Sequence, residues 1–145
     1  MKTAIIYYSK TGNTELVAKQ FNDVKLLRVE AKSDNPNQKN PELTNIPEVK
    51  PYKHIVFASP VHGFQLAKVM NTYLHQVGDL NNKTIDLFVT HFFPFAWLGG
   101  NQSLKQMQKI IESKGGEIRY KTSVNWKSRK REKVIATMIK EYIQS

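Results

Sequence analysis

Short apolar runs alternate along the chain with segments in which apolar residues recur every three or four positions. The short runs are rich in β-branched and aromatic residues, which is typical of strands buried on both faces. The periodic segments are typical of helices that cover a sheet. The pattern predicts five strands, at residues 3–8, 24–30, 54–59, 84–90 and 117–124.

Helical periodicity is clearest after the third predicted strand. Apolar residues recur there from Leu66 at i, i+3, i+4, i+7, i+8 and i+11, and Gly78 ends the segment. An earlier helix is predicted over residues 14–21, with Leu16, Val17 and Phe21 facing inward. Two more helices are predicted, one from about residue 100 to Gly115 and one over 129–144.

The stretch 32–53 interrupts this alternation between the second and third strands. Four prolines, at positions 36, 41, 47 and 51, prevent a long helix there. We expect an irregular crossover in place of the second helix. Strands that alternate with helices imply a parallel sheet covered on both faces. We therefore predict one α/β domain over residues 1–145, with a doubly wound five-stranded parallel sheet.

Composition removes several classes of function. The chain holds no cysteine, which excludes disulfides, thiolate nucleophiles and cysteine-ligated metal clusters. No apolar run is long enough to cross a bilayer. The sequence starts on a predicted strand rather than on a secretory leader. We therefore expect a cytoplasmic protein with no membrane partner.

Charge is distributed unevenly along the chain. The formal net charge is +10, and residues 104–145 carry eleven Lys or Arg against four Asp or Glu. The densest cluster is Lys127-Ser128-Arg129-Lys130-Arg131. It could bind nucleic acid or an acidic protein, or it could be the solvated start of a helix that keeps the protein in solution. The second interpretation is favoured.

A candidate anion-binding loop follows the first predicted strand and opens the first helix. Ligands of open parallel sheets bind beyond the carboxyl ends of the strands, where the strand order reverses. Hydroxyls, a glycine and the free N–H groups of a helix start form a cradle for a phosphate. The same residue types also suit a plain turn with an N-cap. The loop consists of Ser9, Lys10, Thr11, Gly12, Asn13 and Thr14.

Other phosphate-binding classes do not fit this loop. The glycine and lysine spacing of nucleotide-hydrolase loops is absent, and the dinucleotide fingerprint needs three spaced glycines where only Gly12 is present. A low-molecular-weight phosphatase needs a cysteine, which the chain lacks. A response-regulator receiver would carry acidic residues where this chain has Tyr7, Tyr8 and Ser9.

Two further candidate loops follow the third and fourth predicted strands. They span residues 59–63 and 90–101, and the second is rich in aromatic residues. The spacing Ser9-x-Thr11-Gly12-x-Thr14 resembles the FMN phosphate loop of flavodoxins. The two later segments are similar to the loops that border the flavin ring in that family, and the order of elements matches over nearly the whole chain.

The resemblance implies the flavodoxin-like strand order 2-1-3-4-5 and FMN as the cofactor. Aromatic side chains can stack on a flavin or pack against its edge, and Trp97 is the preferred stacking residue, with Phe95 as a further candidate. Beyond the first loop, the implied cofactor-binding residues are Ser59, Pro60, Val61, His62, Gly63, Phe64, Thr90, His91, Phe92, Phe93, Trp97, Gly99, Gly100 and Asn101.

The four histidines fall into two groups. His62 and His91 lie on the two presumed flavin loops, where either could donate to the flavin or relay a proton. The simpler interpretation is that both are loop histidines exposed to solvent. His54 and His75 are expected to be structural. No catalytic residue and no metal-ligand cluster stands out.

Two classes of function stay open from the sequence. The first is an FMN-binding redox protein, either an electron carrier or an oxidoreductase that uses NAD(P)H. Its partner is expected to be NAD(P)H or a redox protein with an acidic surface, and the aromatic stretch 92–98 would suit a homodimer contact. The second is a non-enzymatic basic binding module on the same fold, for nucleic acid or an acidic protein. The first is preferred, and nucleic acid is not the expected partner.

Overall fold

Five parallel strands form the central sheet of the protein, in a computed structural model that describes residues 3–92 and 99–143. They are β1 Thr3–Tyr7, β2 Lys25–Arg28, β5 His54–His62, β7 Thr84–His91 and β8 Glu117–Asn125. Their order in the sheet is β2-β1-β5-β7-β8, and all four neighbouring pairs are parallel. Counted along the chain, these five strands have the predicted order 2-1-3-4-5, so the predicted sheet is confirmed.

Helices cover both faces of the sheet. Helices α2 (Lys68–Gln76) and α3 (Gly100–Ser113) pack on one face, and α1 (Asn13–Ala18) and α4 (Arg131–Ile143) pack on the other. Alternate residues of β1 enter the two cores, Ile6 on the α2/α3 side and Ile5 on the α1/α4 side. This burial on both faces explains why the central strands β1, β5 and β7 are mostly apolar.

The crossover between β2 and β5 is irregular, as predicted. It contains β3 (Glu30–Ala31) and β4 (Leu43–Asn45), which pair in a small antiparallel sheet, and otherwise turns and bends. The prolines that interrupt the segment explain the absence of a helix between residues 29 and 53 of the described chain.

The inward face predicted for the first helix is confirmed at two of three positions, because Val17 and the nearby Phe21 are buried. Leu16 was expected to face inward, and this prediction is wrong, because its side chain is 56% exposed. The hydroxyl of Thr14 instead lies 2.8 Å from that of Thr90 in β7, and both residues are buried. This contact directs Thr14, Val17 and Ala18 to the sheet, one helical turn apart, and turns Leu16 outward.

Strand β5 continues beyond its predicted end at residue 59. It runs to His62 and pairs there with the antiparallel strand β6 (Gln65–Leu66). Leu66 therefore belongs to a hairpin and not to the second predicted helix, which begins at Lys68. The periodicity of the sequence included Leu66 because its side chain enters the same core as α2.

A buried polar network joins the elements at the amino-terminal edge of the sheet. Asp86 of β7 accepts from Arg119 of β8 at 2.7 Å and lies 2.6 Å from His54 Nε2 of β5. Arg119 also donates to the carbonyl oxygen of Tyr142 in α4, and the Thr3 hydroxyl lies 3.1 Å from His54 Nδ1. The expectation that His54 is structural agrees with this position, at the opposite edge of the sheet from the three candidate loops.

Candidate functional site

A cavity of about 360 Å³ lies at the carboxyl-terminal edge of the sheet. Residues that follow β1, the end of β5 and the end of β7 all line it, so the three candidate loops meet in one place. The strand order reverses between β1 and β5, which is where ligands bind in open parallel sheets. The volume is within the range of about 300–1,000 Å³ for small-molecule sites.

The loop after β1 is shaped by one glycine and one serine. Gly12 has φ +100°, a left-handed conformation that L side chains rarely adopt. The buried Ser9 hydroxyl accepts from the backbone N–H of Glu15 at 3.2 Å, and the Gly12 carbonyl accepts from Leu16. Ser9 therefore supports the loop from inside and does not line the cavity.

The same loop offers a set of backbone donors. Within residues 3–92 and 99–143, the consecutive N–H groups from Thr11 to Thr14 donate to no protein acceptor. The side chains of Lys10, Thr11 and Asn13 line the cavity beside them. A row of N–H groups around a left-handed residue binds anions, and a lysine adds a full positive charge. The loop can therefore hold a phosphate.

An ion-pair network fixes this loop to the neighbouring strand. Arg28 of β2 donates to the Ser9 carbonyl at 2.7 Å and to the Glu15 carboxylate at 2.8 Å. The Tyr7 hydroxyl also donates to Glu15, at 2.7 Å. This bond is the main cause of the lowered pKa of Glu15, with further contributions from Lys19 and Arg28. Burial and then the Glu15 contact raise the pKa of Tyr7 to about 12. Arg28 thus joins β2 to both ends of the loop.

A tight hairpin forms the second wall of the cavity. Gly63 and Phe64 connect β5 to β6 with φ of +56° and +67°, as a type I′ turn requires at both central positions. Positive φ is uncommon for a bulky residue, and Phe64 is also 47% exposed. The geometry holds an aromatic side chain at the surface next to a cavity-lining residue, Gly63.

Helix α3 holds this hairpin in position. A Cβ on Gly99 would lie 2.7 Å from the backbone of Phe64 and 2.8 Å from Val61. The glycine is therefore required for the close approach of the two segments, and its φ of +123° favours glycine independently. Gln106 of α3 also accepts from the Leu66 N–H at 2.9 Å.

Thr90, His91 and Phe92 at the end of β7 form the third wall. His91 is 4% exposed, and its carbonyl oxygen accepts from the N–H of Trp126 at 2.8 Å. The simpler interpretation of His91 as an exposed loop histidine is therefore wrong. Phe92 is 48% exposed and lies at the rim.

His62 is a titratable group in the lining of the cavity. Its ring packs edge-on against Tyr8, with ring centroids 6.2 Å apart. Burial, and then the positive charge of Lys10, lower the pKa of His62, while Asp34 acts in the opposite direction. His62 is therefore held in its neutral form, which can both accept and donate a hydrogen bond.

The sequence did not predict that the crossover between β2 and β5 contributes a residue to the cavity. Pro36 lines the cavity, and nearby Asp34 accepts a hydrogen bond from the buried Tyr8 hydroxyl at 3.0 Å. Burial and the Asp34 contact raise the pKa of Tyr8. The tyrosine at the end of β1 was a visible signal, because a buried hydroxyl needs a partner. Its partner lay in a segment without periodicity.

Half of the predicted cofactor-binding residues line the cavity. These are Lys10, Thr11, Asn13, Pro60, Val61, His62, Gly63, Thr90, His91 and Phe92. The lining does not include Ser9, Gly12, Thr14, Ser59, Phe64, Gly99, Gly100 and Asn101. Phe93, Phe95 and Trp97 lie outside the described residues. The assignment of all these residues to a cofactor stays a prediction.

Several solved structures are similar to this protein over nearly the whole chain. A Bacteroides eggerthii protein provisionally described as a flavoprotein is 17% identical, with a TM-score of 0.74 over 99% of each chain. An oxidised flavodoxin of Bacillus cereus is 17% identical, with a TM-score of 0.68 over 98% of this chain and 97% of its own. A Fusobacterium nucleatum flavodoxin bound to flavin mononucleotide is 17% identical, with a TM-score of 0.65 over 97% and 96%.

The fold is flavodoxin-like. The resemblance drawn from the three loops is thus confirmed for the architecture. The sequence itself matches no protein-family model and no curated protein. In residues 3–92 and 99–143, no helix is long and apolar enough to cross a membrane, and no group of three potential metal ligands occurs.

Proposed function

We propose that the protein is an FMN-binding redox protein. The observation that carries the proposal is the convergence of three loops, each selected from the sequence, on one cavity at the reversal of strand order. The flavodoxin-like fold supports it, since a flavodoxin of the same fold from Fusobacterium nucleatum is bound to flavin mononucleotide.

The donors of the first loop fit the phosphate of FMN. A phosphate monoester carries close to two negative charges at neutral pH and accepts several hydrogen bonds. The N–H groups from Thr11 to Thr14, the Thr11 hydroxyl and the Lys10 ammonium would hold it. Gly12 provides the left-handed backbone that brings these N–H groups together.

The other two walls fit a flat heteroaromatic ring. Pro60, Val61 and Gly63 offer apolar surface and backbone groups on one side, and Thr90 to Phe92 do so on the other. Neutral His62 supplies one side chain that can donate or accept at the polar edge of the ring. When bound, FMN supplies the electron or hydride chemistry, and the protein binds it, orients it and limits its contact with water.

Visible absorption of the purified protein tests the proposal. We expect the protein to retain flavin absorbance after incubation with FMN and removal of the excess. Thr11→Ala combined with Asn13→Ala should weaken FMN binding by about tenfold or more, because hydrogen bonds to a charged group are lost. Thr44→Ala, an exposed position on β4, serves as the control. A wild-type protein that retains no flavin, or a double variant that binds FMN as well as wild type, would contradict the proposal.

Oxidation of NADH and NADPH by the FMN-loaded protein separates two forms of this function. Consumption of either nucleotide would indicate an oxidoreductase. Reduction by a chemical donor, with no consumption of either, would indicate an electron carrier. A cytoplasmic location remains part of the proposal, and the expected homodimer contact through residues 92–98 falls outside the described residues except at Phe92.

A further inference from the structure

A cluster of exposed cations lies on the turn between β8 and α4 and on the start of that helix. Lys127, Arg129, Lys130 and Lys133 are exposed, and none of them forms an ion pair with another described residue. We call these four residues the basic surface. The segment 127–133 carries a single acidic residue, Glu132, which pairs with Arg131.

Internal contacts hold the backbone of this turn in place. Arg131 stacks over the Trp126 ring at 4.3 Å and donates to the Trp126 carbonyl oxygen at 2.7 Å. The Asn125 side chain accepts from the N–H of Lys127, and the Ser128 hydroxyl accepts from that of Lys130. Arg131 thus stabilises the turn, while the basic surface extends from an ordered backbone. Preorganised groups lose less entropy when they bind.

The basic surface follows β8 at the same edge of the sheet as the cavity. The N–H of Trp126 donates to the carbonyl oxygen of His91, and Asn125 is paired with His91 in the sheet register. His91 is itself a wall of the cavity. A macromolecule bound to the basic surface would therefore lie at the same edge of the sheet as the cavity.

A groove continues from the basic surface. It has a volume of about 380 Å³ and lies between β8 and α4. Its lining combines two cations, Lys130 and Lys133, with the aliphatic Val134, the buried Met138, two threonines and one carboxylate, Glu141. Cations beside an aliphatic side chain suit a protein surface that combines carboxylates with apolar side chains. The phosphates of a nucleic acid would use the cations alone and leave the apolar lining without a partner.

We propose that the basic surface and this groove dock an acidic protein partner at the same edge of the sheet as the cavity. Opposite charges accelerate such encounters and make them sensitive to salt. The role of the partner as an electron donor or acceptor rests on the proposed function. Its acidic character rests only on the charges and the groove.

Fluorescence anisotropy with a labelled acidic peptide tests the surface without any flavin. The probe is a peptide that repeats two glutamates and one leucine, and labelled oligothymidylate is the nucleic-acid probe. The test variant is Lys127→Ala, Arg129→Ala and Lys130→Ala combined. The control removes the same charge at the opposite edge of the sheet, as Lys25→Ala, Lys50→Ala and Lys53→Ala, three exposed positions.

We expect the test variant to bind the acidic peptide about tenfold more weakly than wild type, since each surface charge contributes a small favourable term. The control should lose less than threefold, and added salt should weaken wild-type binding. Val134→Ser should also weaken peptide binding, because Val134 is the partly exposed apolar residue of the groove. Equal losses in test and control variants would overturn the proposal, as would tighter binding of oligothymidylate than of the peptide.

FMN retention by the same variants keeps the two proposals separate. We expect the test variant to retain FMN as wild type does. If wild type fails to retain FMN, the proposed function fails, and peptide binding still decides whether the basic surface docks an acidic protein.

Discussion

The backbone of Phe64 is the clearest local conflict between stability and function in the molecule. A left-handed conformation costs a non-glycine residue roughly 1–2 kcal/mol, and this phenylalanine is also nearly half exposed. Strained residues persist where the surrounding structure or a ligand requires them. The hairpin and the close contact with Gly99 supply the structural part of that requirement.

Replacement of Phe64 should therefore change stability and binding in opposite directions. Phe64→Asn should raise the free energy of unfolding by about 1 kcal/mol, because asparagine tolerates the left-handed region. The same variant should bind FMN more weakly, because it loses the aromatic side chain next to the cavity-lining Gly63. Chemical denaturation and FMN titration measure the two effects. A variant that is less stable than wild type, or that binds FMN equally well, would contradict this account.

His62 should give the fold a dependence on pH. Its folded pKa is lowered, so protonation opposes folding. The contribution to stability is fully present above the unfolded pKa of about 6.5 and is lost as the pH falls below it. The free energy of unfolding should therefore decrease more steeply from about pH 8 to about pH 5 in wild type than in His62→Gln. Parallel profiles for the two proteins would contradict this.

Two contacts between elements determine the position of the loop after β1 and of helix α1. The Thr14–Thr90 hydroxyl pair fixes α1 against β7, and Arg28 from β2 holds the loop backbone. Both contacts join residues that are distant in sequence. Hydrophobic periodicity along the sequence carries no information about such contacts, and the inward position it predicted for Leu16 is therefore wrong.

Arg28 should therefore affect the phosphate end of the site selectively. Arg28→Met should weaken FMN binding by roughly tenfold, because two charge-assisted bonds that position the loop are lost. Riboflavin, which lacks the phosphate, should bind almost unchanged. Arg28→Lys should restore part of the FMN affinity, since one ammonium cannot replace the two-pronged guanidinium contact. Fluorescence titration with FMN and with riboflavin measures both affinities. Lys25→Met, at an exposed position on the same strand, is the control. General destabilisation would instead weaken the binding of both flavins alike.

The sequence predicted most elements and the three loops, because periodicity and the position of loops after strands follow from local chemistry. It did not predict the β5–β6 hairpin, since its turn has glycine followed by phenylalanine where type I′ turns favour asparagine or aspartate before glycine. It also missed Pro36 and Asp34 as neighbours of the cavity, because an irregular crossover gives no period from which to place a side chain.

At the scale of the whole molecule, the cavity and a buried polar network occupy opposite edges of the sheet. The cavity lies at the carboxyl-terminal edge, and the Asp86 network joins β5, β7, β8 and α4 at the other. Burial alone would raise the pKa of Asp86, and the bonds from His54 and Arg119 outweigh this and lower it. Asp86 is thus held as a carboxylate inside the protein.

Loss of this carboxylate should destabilise the fold without affecting the site. Asp86→Asn should cost about 3 kcal/mol, because it removes the buried carboxylate that Arg119 and His54 contact. The difference in stability between wild type and Asp86→Asn should disappear in acid. The lowered pKa of Asp86 stabilises the wild type above about pH 3.9, and this stabilisation is lost as the pH falls through the folded pKa. Denaturant unfolding at neutral and acidic pH measures both effects, with the exposed Glu48→Gln as control. Equal stabilities of Asp86→Asn and wild type at neutral pH would be inconsistent with the network.

The central claim is that one cavity takes FMN, with its phosphate on the first loop and its ring between the other two. Two-dimensional amide NMR of the labelled protein tests it most directly. FMN should shift the amide signals of Thr11 to Thr14 together with those near His62 and His91, and riboflavin should shift only the second and third groups. Shifts confined to other surfaces, or a first loop that responds equally to both flavins, would contradict the account.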